Sequence, residues 1–214
     1  MQIENLTKKY GDLTVYENFS LDIEEGEITC ILGESGSGKT TLLNCVADLT
    51  EYEGNIQKRK CSYVFQTPRL VPNLTVFKNL SLICADDKKI NEMLERVHLT
   101  EKANAYPNFL SGGQAQRVSL ARALLFGGDI ILMDEPFSSL DLKLKKEISA
   151  LFKNLQKEYG LTALFVTHDV DEALELSQRI IVIKGGKAVL DLRNNGEKSV
   201  ENMRSELVSA LVNA

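Results

Sequence analysis

A glycine-rich octapeptide is the clearest candidate for chemistry in this sequence. It fits the pattern G-x-x-x-x-G-K-[ST] and consists of Gly33, Glu34, Ser35, Gly36, Ser37, Gly38, Lys39 and Thr40. Small residues in such a loop let successive backbone N–H groups point at phosphate oxygens, and the start of a following helix adds its positive end. A flexible turn is the alternative, but a strand-like run precedes the loop and a helix-like spacing follows it. We therefore predict a site for a magnesium nucleoside triphosphate.

Two adjacent acids are the second candidate. Asp134 and Glu135 follow the apolar run 130–133, which reads as a buried strand, and nucleotides lie at the carboxyl edge of such sheets. We predict that Lys39 reaches the terminal phosphates, while Thr40 and Asp134 hold the magnesium shell. Glu135 is expected to orient or deprotonate the attacking water, which contributes about 10² to 10⁴ in rate. Without other motifs, two acidic residues after a strand more often belong to a turn than to an active site. The catalytic interpretation therefore depends on the phosphate loop.

A helix start supplies a second expected phosphate site. Ser111, Gly112, Gly113 and Gln114 open a predicted helix at 115–125, which Gly127 and Gly128 close. A hydroxyl and unobstructed backbone N–H groups at the positive end of a helix can hold a phosphate. Out of context, a serine-capped helix is the simpler interpretation. The first loop already holds one triphosphate, so this second site lacks a ligand within the chain.

Alternating strands and helices are predicted around these residues. Buried strands are expected at 28–32, 61–65, 130–133 and 163–166, a helix at 40–49, and half-buried strands in the first thirty residues. After Pro68 and Pro72, the chain to Phe126 has helical spacing. A hairpin is predicted around Gly185 and Gly186, followed by a final amphipathic helix from Val200 onward. The pattern predicts an α/β fold.

Composition narrows the class of protein. The chain has 214 residues, 43% hydrophobic and 26% charged, which is typical of one globular unit. A formal net charge of −5 argues against a general nucleic-acid binder. The four cysteines lie far apart, without the spacing of a metal site. No window approaches the roughly 18 apolar residues of a spanning helix, so we expect a cytoplasmic or membrane-peripheral protein.

Six motifs in a fixed order make the chain resemble the nucleotide-binding subunit of an ABC transporter over nearly its whole length. They are Walker A (33–40), the Q-loop (Gln66), the signature (110–114), Walker B (130–135), the D-loop (Ser138, Ser139, Leu140 and Asp141) and the switch histidine (His168). The resemblance implies a P-loop NTPase (RecA-like) core with an N-terminal antiparallel β subdomain and an inserted α-helical subdomain. Its expected bounds are 1–67 and 127–195 for the core and β lobe, 68–126 for the helical lobe and 196–214 for a terminal helix.

The resemblance also implies roles for single residues. Gln66 would bind the metal or its water, sense the γ-phosphate and link to the helical lobe, and His168 would contact the γ-phosphate and the attacking water. Tyr10 matches the aromatic residue that stacks on adenine, although packing beside a strand is the alternative. Thr41 is also expected to bind the nucleotide. The cofactors are then ATP and Mg²⁺.

Partners follow from the same resemblance. Two cassettes, expected to be a homodimer in the ATP state, meet head to tail, so the signature of one chain closes on the ATP of the other and Asp141 communicates across that interface. The helical lobe docks on integral membrane permease subunits at the inner face of the cell membrane. An extracytoplasmic solute-binding protein is expected in the full system, and no nucleic acid.

The run 66–76 is similar to ATPases of nitrate, sulfonate and taurine importers, but Thr67 and Asn73 differ from residues frequent in that subfamily, so the solute stays open. We expect no regulatory domain after the short segment that follows Gly186. The alternative function is a non-transport cassette ATPase that acts on the ribosome or on DNA. Such proteins usually carry two cassettes or a long coiled coil. A P-loop GTPase or nucleotide kinase is a further rival, but no N-K-x-D motif occurs and the signature would be unexplained.

Overall fold

A computed structural model describes residues 1–138 and 140–213, so Ser139 of the predicted D-loop lies outside the described residues. The strands are β1 (Gln2–Tyr10), β2 (Leu13–Asp22), β3 (Ile28–Leu32), β4 (Glu53–Ile56), β5 (Cys61–Val64), β6 (Ile130–Asp134), β7 (Thr162–Thr167), β8 (Arg179–Lys184) and β9 (Lys187–Arg193). The α-helices are α1 (Lys39–Val46), α2 (Val76–Ser81), α3 (Asp87–Arg96), α4 (Gly112–Phe126), α5 (Leu142–Tyr159), α6 (Val170–Leu176) and α7 (Val200–Asn213). The 3-10 turns are Thr100–Lys102 and Pro107–Phe109.

A six-stranded sheet in the order β5-β6-β7-β3-β8-β9 forms the centre of the molecule. The pairs from β5 through β8 are parallel, and β8 and β9 form the predicted antiparallel hairpin. Every residue of β3 and β7 is buried, as expected for parallel strands that are covered on both faces. The carboxyl ends of β5, β6, β7 and β3 are therefore neighbours along one edge, which brings together the segments that follow them.

A second sheet, antiparallel and three-stranded in the order β2-β1-β4, packs beside the phosphate loop. Ile3 and Leu6 of β1 share a hydrophobic core with Ile31 of β3 and Leu42 of α1. This core fixes the end of β1, where Tyr10 lies, relative to the loop between β3 and α1. The half-buried strands predicted for the first thirty residues are present.

The helices between β5 and β6 have a core of their own, which includes Val76, Leu80 and Leu94. Helix α4 contributes to two cores: Val118 packs in this helical core, whereas Leu120 packs against the large sheet. The signature helix is thus shared between the helical segment and the sheet. The predicted subdomain bounds stay a prediction.

The end of α1 and the start of α4 differ from the sequence prediction by more than one residue. Helix α1 ends at Val46 rather than at residue 49, because Asp48 adopts a positive φ of 59° and Leu49 N–H donates to Asn44 O at 2.8 Å. This is a Schellman turn, which usually places glycine at the left-handed position; Asp48 occupies it here, so no glycine marked the end of the helix. Helix α4 begins at Gly112 rather than at residue 115, because Ser111 caps it.

Candidate functional site

The phosphate loop joins β3 to α1 and is held tightly from both sides. A Cβ on Gly33 would lie 2.6 Å from Ile183 O, and one on Gly38 would lie 2.8 Å from Val15 Cγ1. Gly36 and Gly38 have positive φ values of 83° and 98°, which L side chains rarely adopt. Ser37 Oγ is buried and has no hydrogen-bond partner among the described residues. The sequence therefore needs glycine here for close packing and for the path of the backbone.

Lys39 is the first residue of α1, and its side chain folds back over the loop. Its ammonium donates to Gly33 O and Glu34 O, both at 2.8 Å, and lies 3.7 Å from Glu135 Oε1. The residue is only 4% exposed. Burial lowers the pKa of Lys39, while the nearby carboxylates act in the opposite direction. A buried cation of this kind provides a favourable position for phosphate oxygens.

Thr40 and Asp134 meet at the predicted metal position. Thr40 Oγ1 donates to Asp134 Oδ1 at 2.9 Å. The other carboxylate oxygen, Oδ2, lies 3.5 Å from the hydroxyl of Tyr63 on the adjacent strand, a long contact. Burial raises the pKa of Asp134, partly offset by these hydroxyl donors. The two side chains predicted to share a cation are thus in direct contact.

Glu135 follows β6 in a strained conformation and contacts the switch histidine. Its φ is 42°, uncommon for a residue with a side chain, and its N–H donates to Val166 O at 3.0 Å. His168 Nδ1 lies 3.1 Å from Glu135 Oε2. The Glu135 side chain is 19% exposed, whereas that of His168 is 57% exposed. The pair presents a carboxylate, held by an imidazole, beside the phosphate loop.

Gln66 lies beyond β5 at the same edge. Its Nε2 donates to Ser138 Oγ at 2.9 Å, and Ser138 Oγ donates to Glu135 O at 3.0 Å. With the amide nitrogen used in this way, the amide oxygen is the atom left to bind a cation. Gln66 is therefore connected to the backbone of Glu135 through one serine.

An open cavity of about 440 Å³ lies where these groups converge. It is lined by Tyr10, Leu13, Val15, Ser35, Gly36, Gly38, Lys39, Thr40, Thr41, Gln66, Asp134 and Glu135. Tyr10, Thr41 and Gln66 thus share a cavity with residues of the phosphate loop. The cavity combines phosphate donors, acids and one aromatic ring.

The signature residues and Asp141 do not line this cavity. Ser111 Oγ accepts from Gln114 N–H at 3.3 Å, and Gln114 Oε1 accepts from Ser111 N–H at 3.0 Å, which is a capping box. Ser111 and Gly112 are exposed, whereas Gly113 is buried against Leu144. Asp141 is exposed and caps α5 by accepting from Lys143 N–H and Leu144 N–H. The helix start that the sequence predicts is thus present and capped, but it lies outside the cavity, and its role as a phosphate site stays a prediction.

The donor set fits the expected ligands. Thr40, Asp134 and Gln66 offer hydroxyl, carboxylate and amide oxygens, the hard donors that Mg²⁺ prefers. Within the loop, the buried Ser37 Oγ has no hydrogen-bond partner among the described residues, which suits a polar ligand at this position. The residues therefore fit a magnesium nucleoside triphosphate.

Comparison with known proteins identifies the family. Residues 16–138, more than half of the chain, match the family model described as ABC transporter. The chain belongs to the ABC transporter family. Across 208 residues it is 44% identical to the spermidine/putrescine import ATP-binding protein PotA of Nitrosospira multiformis, and the match covers 87% of this chain and 57% of that protein. The chain thus spans little more than half the length of this relative.

Two further ABC proteins are similar. The chain is 38% identical to the probable sulfate/thiosulfate import ATP-binding protein CysA of Chlorella vulgaris, with 87% of this chain and 88% of that protein covered. It is 35% identical, with a TM-score of 0.78, to an ATP-binding cassette solved as a dimer in a post-hydrolysis state with ADP and Pi. That match covers 91% of this chain and 99% of the solved one. The predicted ABC fold is confirmed.

Two contributors to this ABC site were not predicted from the sequence. Tyr63 reaches both Asp134 and Asn44, the latter at 3.4 Å, and Lys8 lies over the ring of Tyr10. Tyr63 contacts Asp134 across a parallel strand pair, whose register the sequence does not reveal. Lys8 and Tyr10 are two residues apart on one strand and so share a face, which was the signal available for that pair.

Proposed function

We propose that this chain is the ATP-binding subunit of an ABC transporter and hydrolyses ATP to drive solute transport. The observation that carries the proposal is the convergence of the phosphate loop and the acid pair, with Thr40 Oγ1 and Asp134 Oδ1 2.9 Å apart. Lys39 and the loop N–H groups bind the triphosphate, and Tyr10 offers a ring for the base. Magnesium supplies charge neutralisation of the phosphates when bound, held by Thr40, Asp134 and Gln66.

The chain's own residues supply the remaining chemistry. Glu135 orients the attacking water and accepts its proton, and His168 at 3.1 Å positions that carboxylate. Gln66, anchored through Ser138, joins the metal side of the site to the helical segment. These roles are proposals that the contacts support.

A second cassette is part of the proposal. Residues 111–114, at the start of α4, are capped but do not line the nucleotide cavity of their own chain. The similar solved cassette is a dimer. We propose that two copies meet head to tail, so that Ser111 to Gln114 of one copy complete the site of the other. Asp141, which begins α5 near that end, then lies at the interface.

Import is the proposed direction of transport. The PotA and CysA relatives are import ATP-binding proteins. Within residues 1–138 and 140–213, no helix is long and apolar enough to cross a membrane. We therefore propose integral permease subunits as partners at the inner face of the membrane, with an extracytoplasmic solute-binding protein. The narrower likeness to nitrate, sulfonate and taurine importers rests on residues 66–76 alone, and we propose no solute.

Hydrolysis is tested by phosphate release from Mg-ATP. Glu135→Gln keeps the size of the side chain but removes the carboxylate, so the rate should fall by about 10² to 10⁴ while ATP still binds by calorimetry. The matched control is Glu147→Gln, which changes an exposed carboxylate on α5 that pairs with Arg117. Phosphate release unchanged by Glu135→Gln would contradict the assignment of Glu135.

Transport is tested separately by identifying what co-purifies with the tagged chain. The proposal expects integral membrane proteins from detergent-solubilised membranes of the source cells. Recovery of ribosomes or DNA in their place would favour the non-transport alternative.

A further inference from the structure

Lys8 covers one face of the ring that lines the proposed nucleotide cavity. Its Nζ lies 4.4 Å from the centroid of the Tyr10 ring, within the range of a cation–π contact. Both residues belong to β1 and are separated by one position, so they share a face of the sheet.

The ammonium of Lys8 is fixed in place. The residue is 7% exposed, and its Nζ donates to Thr50 Oγ1 at 2.8 Å and to Glu51 O at 2.6 Å. Among the described residues, two oxygen atoms and an aromatic ring hold this buried cation, rather than a carboxylate. The ring of Tyr10 is therefore one of three partners that stabilise the charge.

The remaining face of Tyr10 is available to a ligand. Tyr10 is 49% exposed and lines the cavity together with Gly38 and Thr41, whereas Lys8 does not line it. Lys8 thus contacts the ring from outside the cavity, so it does not compete with Lys39 for phosphate there.

We propose that Lys8 is a specificity-determining residue for the base of the nucleotide. This inference rests on the proposed function. In the proposed complex, the Lys8 ammonium, the Tyr10 ring and the base of the nucleotide form one stack. The cation draws π-electron density towards its own side, which lowers repulsion between the ring and an electron-rich purine on the other side. It also holds the ring in the orientation that a base needs. The site should therefore favour purine over pyrimidine nucleotides.

The test is calorimetric titration with Mg-ADP and with Mg-pyrophosphate, which share phosphate contacts but differ in the base and sugar. Lys8→Met keeps the apolar stem and removes the charge, so ADP affinity should fall about threefold to tenfold while pyrophosphate affinity is unchanged. Lys8→Arg retains a cation over the ring and should restore ADP affinity. Wild type should bind ADP more tightly than CDP, and Lys8→Met should narrow that difference.

A double-mutant cycle shows whether Lys8 acts through Tyr10. In a Tyr10→Leu background, Lys8→Met should have no further effect on ADP affinity. Thr50→Val removes one acceptor of the ammonium but keeps its charge, and serves as the control for local structure. If Lys8→Met does not fold, Lys8→Gln gives the same comparison with a neutral donor.

Three results would overturn the inference: an equal loss of pyrophosphate affinity, an undiminished effect of Lys8→Met without the Tyr10 ring, or unchanged ADP affinity in Lys8→Met. Failure of the proposed nucleotide site is distinguishable, because wild-type protein would then bind neither ADP nor ATP.

Discussion

At the scale of single residues, the buried ammonium of Lys39 is the group best placed to bind a phosphate. Its ammonium lies among loop carbonyls and near Glu135, and burial lowers its pKa, so the protein alone stabilises this charge incompletely. Phosphate oxygens placed at the same nitrogen would supply the missing negative charge. The surroundings of Lys39 therefore support the binding role that its motif predicts.

Lys39→Ala should lose most ATP affinity. A charged hydrogen bond to phosphate contributes enough that we expect a loss of about tenfold to a hundredfold by calorimetry. Lys88→Ala, which removes a highly exposed lysine from α3, is the control and should bind ATP as wild type does. Equal ATP affinity in Lys39→Ala and wild type would refute the assigned role.

At the scale of elements, the order of strands explains how residues distant in sequence form one site. Gln66, Glu135 and His168 follow β5, β6 and β7, which are neighbours in the sheet, and β3 with its loop comes next. Other contacts between strands have no role in the site. In the hairpin, Arg179 donates to both carboxylate oxygens of Asp191, at 2.9 and 2.6 Å.

The Arg179–Asp191 pair should make the hairpin sensitive to acid. Arg179 holds the pKa of Asp191 below its usual value, so the pair stabilises the fold above the unfolded pKa of about 3.9. That contribution is lost as pH falls through the lower folded pKa. Asp191→Asn should therefore lower the urea midpoint near neutral pH, and its difference from wild type should shrink towards pH 3. A difference that is constant with pH would contradict this account.

The sequence predicted these elements well where hydrophobic pattern decides structure, as at β3, whose predicted bounds are those observed. It failed where backbone geometry decides, as at Asp48, which ends α1 in a left-handed conformation without glycine. The motifs located Glu135 and His168, but not their direct contact or the positive φ of Glu135, because both depend on neighbouring strands. The contact of Tyr63 with Asp134 depends on strand register and was missed for the same reason.

At the scale of the whole molecule, the placement of the signature outside the cavity is the reason for proposing a second chain. The cavity lies at one sheet edge, while the capped start of α4 is exposed and outside it. In the proposed cycle, ATP binding closes a dimer and hydrolysis at Glu135 reopens it. Shifting such an equilibrium from 1:99 to 99:1 needs about 5.5 kcal/mol of differential affinity, which two shared triphosphates can supply.

The most direct test of this central claim is the mass of the Glu135→Gln protein in solution, measured by light scattering with Mg-ATP. A slow hydrolysis step should trap the closed state, so the mass should be twice that of the monomer. Adding Ser111→Glu, which opposes a partner's γ-phosphate with negative charge, should restore the monomer mass, while Ser205→Glu on the exposed side of α7 should not. A monomer mass for Glu135→Gln with saturating ATP, or a dimer that Ser111→Glu leaves intact, would contradict the account.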